Sequence, residues 1–370
     1  MEDRLRFVVA LLVFVVLSLV TAVRGEYVVQ AVKNPEYRRN EFFPAYDSYY
    51  SPRVWKLRSK YNLDSVVAGE TDEWNRIRLL RNWVHSIFNF EGRTPPPVRL
   101  ETFAILDASL KGAAFHCTHT SIVLPAVLNS YGYISRRLGC GYGLKNKGDF
   151  HGVNEVWVNK FSKWVLVDAE FDWHFEKDGI PLSALEIRNE VWKDGAKSVV
   201  RRFSPENKPI TNQYPHEYIG TNAETYRWCS WETDTNRFTA FPAPVSTTVI
   251  LYEDDIYRNN IWYRGGKPNW IYNTPYLITT TESDWIEWTP NAISSKVQLN
   301  DDSAKVFLTS FTPNFRSFQV SRGCGPWVDC EESVGLPLKK ELNRFTFRTI
   351  NLFGVAGPEL RVEIGWENHQ

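Results

Sequence analysis

The sequence carries no net charge. Lysine plus arginine and aspartate plus glutamate number 43 each in 370 residues, so no global field draws the chain to nucleic acid or to an acidic membrane surface. No Asn-x-Ser/Thr sequon occurs, so glycosylation says nothing of the source. Internal repeats and low-complexity tracts are also absent, which leaves two or three globular domains for a chain of this length. No acidic calcium-loop pattern is present. The cluster His116-Cys117-Thr118-His119, with His151, is the one candidate zinc set, but no second Cys-x-x-Cys or His-x-x-His pair supports it. Neither a metal nor an organic cofactor is expected. Methionine occurs once, whereas aromatics make up 15% of the chain and include 15 tryptophans. Large aromatics of this kind serve β-rich cores; stacking platforms for sugars are the alternative.

Long apolar runs are missing too, with one short exception. Arg4 and Arg6 precede an uncharged stretch from Phe7 to Val20, followed by Thr21-Ala22-Val23-Arg24-Gly25. A membrane span needs about 20 apolar residues, so this segment reads as a signal peptide over residues 1–25, cleaved after Gly25 or, second, after Ala22. A secreted or otherwise extracytoplasmic protein is expected, in contact with a membrane only if the segment stays uncleaved. Five cysteines, Cys117, Cys140, Cys229, Cys324 and Cys330, are an odd number for an exported chain. Four of them can pair while Cys117 stays free. The turn-rich Cys324-Gly-Pro-Trp-Val-Asp-Cys330 is expected to close a small loop, with Cys140–Cys229 as the remaining option.

Along the chain, residues 26–70 read as an extended N-terminal arm, with a helix from Ser51-Pro52 to Tyr61 and a loop from Asp64 to Asp72. Ile77, Leu80, Trp83-Val84 and Ile87-Phe88 recur at three- and four-residue steps, which predicts a helix over 71–90. Gly92 and Pro95-Pro96-Pro97 end it. A shorter helix is predicted over 100–111 and a third over 117–131, stopped at Gly132. Pro125 inside that helix predicts a kink or irregular first turns, because proline removes a hydrogen bond and clashes at a cost of about 3 kcal/mol. Strands are predicted over 134–139, 153–158 and 164–168, the last two forming a hairpin, followed by a helix over 182–192. From about Phe238 the texture changes to short β-branched and aromatic runs such as Thr247–Tyr252 and Lys305–Leu308. The expected organisation is an α+β catalytic domain over 71–237 and an all-β, sandwich-like domain over 238–370.

A thiol, an imidazole and a carboxylate follow one another in the central stretch: Cys117, His151 and Asp168. Thiol-based acyl transfer needs these three groups. A thiol attacks only as thiolate, and a helix N-terminus lowers its pKa from about 8.5 while offering a backbone N–H to an oxyanion. Cys117 opens a predicted helix. Glu155 shares strand parity with His151, but four residues at about 3.3 Å each separate them by roughly 13 Å. Asp168, ending the next strand of the hairpin, is therefore the carboxylate expected to orient the imidazole.

From the helix around Leu80-Arg81-Asn82-Trp83-Val84 to Pro181-Leu182 the chain resembles the transglutaminase-like superfamily of papain-type cysteine enzymes. The resemblance rests on the cysteine opening a helix, Gly132-x-x-x-Arg136, His151 before a strand with Glu155-Val156-Trp157, and Lys163-Trp164-Val165-Leu166-Val167-Asp168. His116 before the nucleophile, Tyr133-Ile134-Ser135 before the arginine and Gly152 after the histidine depart from the usual pattern. The resemblance implies a papain-type core with Cys117 as nucleophile, His151 as general acid/base and Asp168 as its partner. It implies peptide or protein amides as substrates, with hydrolysis favoured. Protein cross-linking is one alternative, and a catalytically inactive protein binding through its β-rich domain is another.

Overall fold

The computed structural model describes residues 25–34, 36–40, 42–43, 46–90, 98–141, 150–203, 223–240, 248–258 and 277–368. The expected signal peptide, apart from Gly25, and the Pro95–Pro97 stop lie outside them. No helix among the described residues is long and apolar enough to cross a membrane.

The described helices are α1 (Pro52–Lys60), α2 (Leu63–Val66), α3 (Glu73–Ile87), α4 (Thr102–Ser109), α5 (Cys117–Asn129), α6 (Ala184–Asp194) and the single turn α7 (Asp255–Tyr257). Strands in the first part are β1 (Gly25–Lys33), β2 (Ser135–Gly141), β3 (Phe150–Val158), β4 (Lys163–Val167), β5 (Trp173–Lys177), β6 (Ile180–Pro181), β7 (Val200–Phe203), β8 (Trp228–Glu232), β9 (Val249–Tyr252) and β10 (Leu277–Thr280). The later strands are β11 (Ile293–Leu299), β12 (Ser303–Ser310), β13 (Phe315–Arg322), β14 (Val328–Cys330), β15 (Ser333–Pro337), β16 (Asn343–Asn351) and β17 (Leu360–Asn368). The chain is α+β with a β-rich C-terminal region.

A six-stranded sheet in the order β10-β9-β8-β2-β3-β4 organises the first part. Both of its faces are covered, and the strands alternate accordingly. Val156 and Val158 of β3 and Val165 and Val167 of β4 pack with the helices, against Ile77, Leu80 and Val84 of α3 and Val123 and Val127 of α5. Trp157, Trp164, Leu166 and Trp231 join the opposite core with Leu185, Ile187 and Val191 of α6. Local signals set the helix ends. Asp72 caps α3 by accepting from Asn75 N at 3.0 Å. Ser183 and Glu186 form a capping box on α6, and Gly195 closes it at φ 77°.

The C-terminal part is a sandwich of a five-stranded sheet, β1-β17-β16-β13-β14, and a three-stranded sheet, β11-β12-β15. Its core holds Ile293, Val306, Leu308, Phe318, Leu336, Phe347, Val362 and Ile364. Two assignments of the sequence change here. Residues 26–33, read as the start of an arm, form with Gly25 an edge strand antiparallel to β17, with Gly25 opposite Asn368. Strands β9 and β10, read as part of the β-rich domain, extend the central sheet, β9 pairing with β8. β-Branched texture announces a strand without naming its sheet, because pairing is non-local.

The disulfide expectation is corrected as well: all five cysteines are free. Cys330 ends β14 opposite Phe318, and Cys324 lies exposed in the connection, which β13–β14 pairing already closes. Cys140 and Cys229 are direct partners across β2 and β8. Even so, Cys140 Sγ donates to the His151 carbonyl at 3.4 Å and Cys229 Sγ faces the Ala184 carbonyl at 3.9 Å. Burial pushes both thiols up, which keeps them protonated.

Candidate active site

Helix α5 is where the nucleophile is placed. His116 is its N-cap in extended backbone, and its Nδ1 accepts from Thr118 N at 3.3 Å, leaving Cys117 as the first helical residue. Pro125 does not break the helix, which runs from Cys117 to Asn129. The carbonyl that Pro125 deprives of a partner is that of Ser121, four residues earlier. Asn154 Nδ2 on β3 donates to that carbonyl at 2.9 Å. The residue that looked like a helix defect thus ties the cysteine helix to the histidine strand.

Gly152 sets how close the two come. A Cβ there would lie 3.0 Å from Ser121 Oγ and 3.6 Å from the Cys117 carbonyl. A methyl group would sit tight against the Ser121 hydroxyl, one turn along the helix from the nucleophile.

His151 lies within β3, not before it as the sequence suggested, because the strand starts at Phe150. Its Nε2 meets Asp168 Oδ2 at 2.6 Å, and both side chains are buried. Asp168 follows β4 and is held by its neighbours: Oδ1 accepts from Glu170 N at 2.9 Å and Phe171 N at 3.3 Å. Helix α3 fastens the turn behind it. His85 Nδ1 lies 3.1 Å from the carbonyls of Ala169 and Glu170, so it is the protonated, donating nitrogen. Arg81 Nε donates to Asp172 Oδ1 at 2.8 Å, and Asn82 Nδ2 donates to Oδ2 at 2.7 Å.

The other edge of the imidazole faces the thiol. Burial pushes the Cys117 thiol up, but hydrogen bonds with His116 and His151, the His151 charge and the Gly152 backbone outweigh it and bring the pKa to about 5. Burial pulls His151 down; the charge and hydrogen bond of Asp168, then those of Cys117, hold it well above its ordinary value. Both shifts favour the thiolate–imidazolium form of the pair.

Three expected residues, Cys117, His151 and Asp168, therefore come together. Glu155, discounted from its distance along the strand, is indeed engaged elsewhere. Its Oε2 accepts from Arg136 Nε at 2.9 Å, Arg136 Nη2 at 2.6 Å and Trp231 Nε1 at 2.8 Å, and its Oε1 accepts from Ala184 N at 2.7 Å. The arginine of the Gly-x-x-x-Arg segment is thus a buried structural cation, stacked 3.9 Å above the Trp164 ring.

Glu170 is the residue that sequence reasoning missed. Its Oε2 stands 3.4 Å from His151 Nδ1, and donor atoms of Cys117, His151 and Glu170 lie within 4.8 Å of one another. Its position had no local signal: the β3–β4 ladder ends with Asn154 opposite Val167, and Glu170 lies in the turn closed by the Asp168–Trp173 bridge. Cys117, His151 and Glu170 are also the group of side chains among the described residues with the proximity to hold a cation; His119 is not in it, packing instead against Phe115 and His116.

No protein-family model matches the chain, and no curated protein matches it. Among solved structures, the crystal structure of red sea bream transglutaminase overlaps 87% of this chain and 73% of its own, at 10% identity and a TM-score of 0.26. An overlap of that quality decides nothing about this chain's chemistry. The arrangement of Cys117, His151 and Asp168 stands on its own.

Proposed function

We propose that the protein is a cysteine-nucleophile enzyme of transglutaminase-like type that hydrolyses amide bonds of peptides or proteins outside the cytoplasm. The observation that carries this reading is the imidazole held between two functions: Nε2 on Asp168 at 2.6 Å and the opposite edge toward the thiol that opens α5. In the first half-reaction the Cys117 thiolate attacks the amide carbonyl, and His151 gives its proton to the departing amine. The Cys117 backbone N–H, the first of α5 and so without an intrahelical acceptor, is available to the oxyanion. Asp168 keeps the imidazole in one tautomer and offsets its charge. Water then resolves the thioester.

Iodoacetamide labelling of Cys117 tests the nucleophile. The rate is expected to rise through about pH 5, where the thiol ionises, and to fall away below it. Labelling no faster than that of a free cysteine peptide would remove the reading. A glutamine peptide offered with a large excess of a primary amine separates hydrolysis, which yields the free acid, from cross-linking, which yields the coupled amide. Export is tested by N-terminal sequencing of the protein recovered outside the cytoplasm, where Glu26 is the expected first residue.

A further inference from the structure

We propose that Glu170 is a further catalytic residue, which binds, together with His151, the water that attacks the thioester on Cys117. The inference rests on the acyl-transfer reading and assigns the second half of that reaction. Asp168 occupies the Nε2 edge of the imidazole, so every proton that His151 exchanges with a substrate passes through Nδ1. Two groups face that nitrogen: the Cys117 thiol, and Glu170 Oε2 at 3.4 Å.

In the resting site the thiolate engages the imidazolium. Acylation removes both the charge and the hydrogen bond of the sulfur, and Nδ1 becomes a neutral acceptor. A water at the ordinary hydrogen-bond length of about 2.8 Å reaches two atoms 3.4 Å apart without strain. One of its O–H bonds then points to His151 Nδ1 and the other to Glu170 Oε2. Two anchors hold the nucleophile close to the thioester carbon, which converts a bimolecular encounter into a positioned one.

The step balances within the site. A bond forms between the water oxygen and the acyl carbon, and the water proton passes to Nδ1. The C–S bond then breaks, returning the thiolate beside the imidazolium, and the carboxylic acid departs. Glu170 accepts a hydrogen bond throughout and changes no covalent bond.

The surroundings of Glu170 suit an acceptor that is fixed in place. Its backbone N–H is bound to Asp168 Oδ1 at 2.9 Å, and its carbonyl lies 3.1 Å from His85 Nδ1. The side chain is buried, at 8% exposure. The titratable groups facing it come from four places: Cys117 on α5, His151 on β3, Asp168 after β4, and His85 on α3. Burial pushes its carboxyl up to about 8 against the opposing charge of His151, with the Cys117 and Asp168 charges adding to the rise. A carboxyl oxygen accepts a hydrogen bond in either protonation state, a role that an amide reproduces.

The test uses 4-nitrophenyl acetate, which acylates a reactive thiol whatever the natural substrate. Acetyl-Cys117 is trapped by acid quench at successive times, and its decay is followed by mass spectrometry in wild type, Glu170→Leu and Glu170→Gln. Decay is expected to slow at least about tenfold in Glu170→Leu relative to its rate of formation. It should return to within about threefold of wild type in Glu170→Gln, which keeps an acceptor oxygen. Thermal unfolding checks that Glu170→Leu is folded; if it is not, Glu170→Ala is read in its place. Equal decay in the apolar variant and wild type overturns the assignment, as does a parallel loss of formation and decay in every variant. Failure of wild type to form acetyl-Cys117 at all counts against the acyl-transfer reading itself.

Discussion

In the region of the central sheet, Arg81, Arg136, Arg188, His151, Glu155, Asp168 and Asp172 are buried. In the C-terminal sandwich the core cluster from Ile293 to Ile364 is apolar, and ion pairs such as Arg344–Glu363 and Arg361–Glu359 lie on the surface. The two regions are held together by different means. An apolar core gains from area removed from water and is indifferent to direction. Buried ionic groups give little net stability, because desolvation offsets their attraction, but each fixes its partner's position. Arg136–Glu155 anchors the N-terminus of α6 through Ala184 N, and Arg81–Asp172 anchors the turn that carries Asp168 and Glu170. The half of the molecule that holds reactive groups in place is the half with costly interiors.

The largest effect that would sharpen this contrast is chemical. Asp168→Asn is expected to lower esterase turnover on 4-nitrophenyl acetate by about 10²–10⁴-fold, since the amide cannot offset the imidazolium and favours the wrong tautomer. Unfolding by denaturant should move far less. A variant that keeps wild-type turnover would show that Asp168 only packs.

Next come two substitutions of similar cost and different consequence. Glu155→Gln leaves the buried Arg136 without its counter-charge and is expected to cost about 3–5 kcal/mol. Phe347→Ala opens a cavity in the sandwich at about 3–5 kcal/mol. In denaturant titrations both midpoints fall. Only Glu155→Gln should also slow iodoacetamide labelling of Cys117, because Glu155 lies on the strand that carries His151. Equal labelling in the two folded variants would break the comparison.

The smallest effect belongs to the sandwich surface. Arg344 pairs with Glu363 at 3.2 Å, with 63% of the arginine side chain exposed. Arg344→Ala should change unfolding free energy by no more than about 0.5 kcal/mol. A loss comparable to that of Glu155→Gln would mean that exposed and buried pairs act alike here.

Much of the fold was legible locally. The apolar stripe Ile77, Leu80 and Val84 announced α3, and Gly132, at φ 81°, stopped the chain after α5. The order of Cys117, His151 and Asp168, with the distance argument against Glu155, pointed to the residues that meet. These signals are visible because helix and strand periods are properties of neighbouring residues. The partners of β1, β9 and β10 were not legible, because sheet pairing joins segments far apart in sequence, as it does Gly25 and Asn368. Pro125 read as a defect until Asn154 supplied the missing donor. The cysteine spacings suggested bridges, yet the register and burial that leave Cys140 and Cys229 as thiols are tertiary facts. No residue pattern set Glu170 apart from the other acids of the sequence. Only packing places its carboxyl 3.4 Å from His151 Nδ1 and strips away the water that would otherwise leave it an ordinary surface charge.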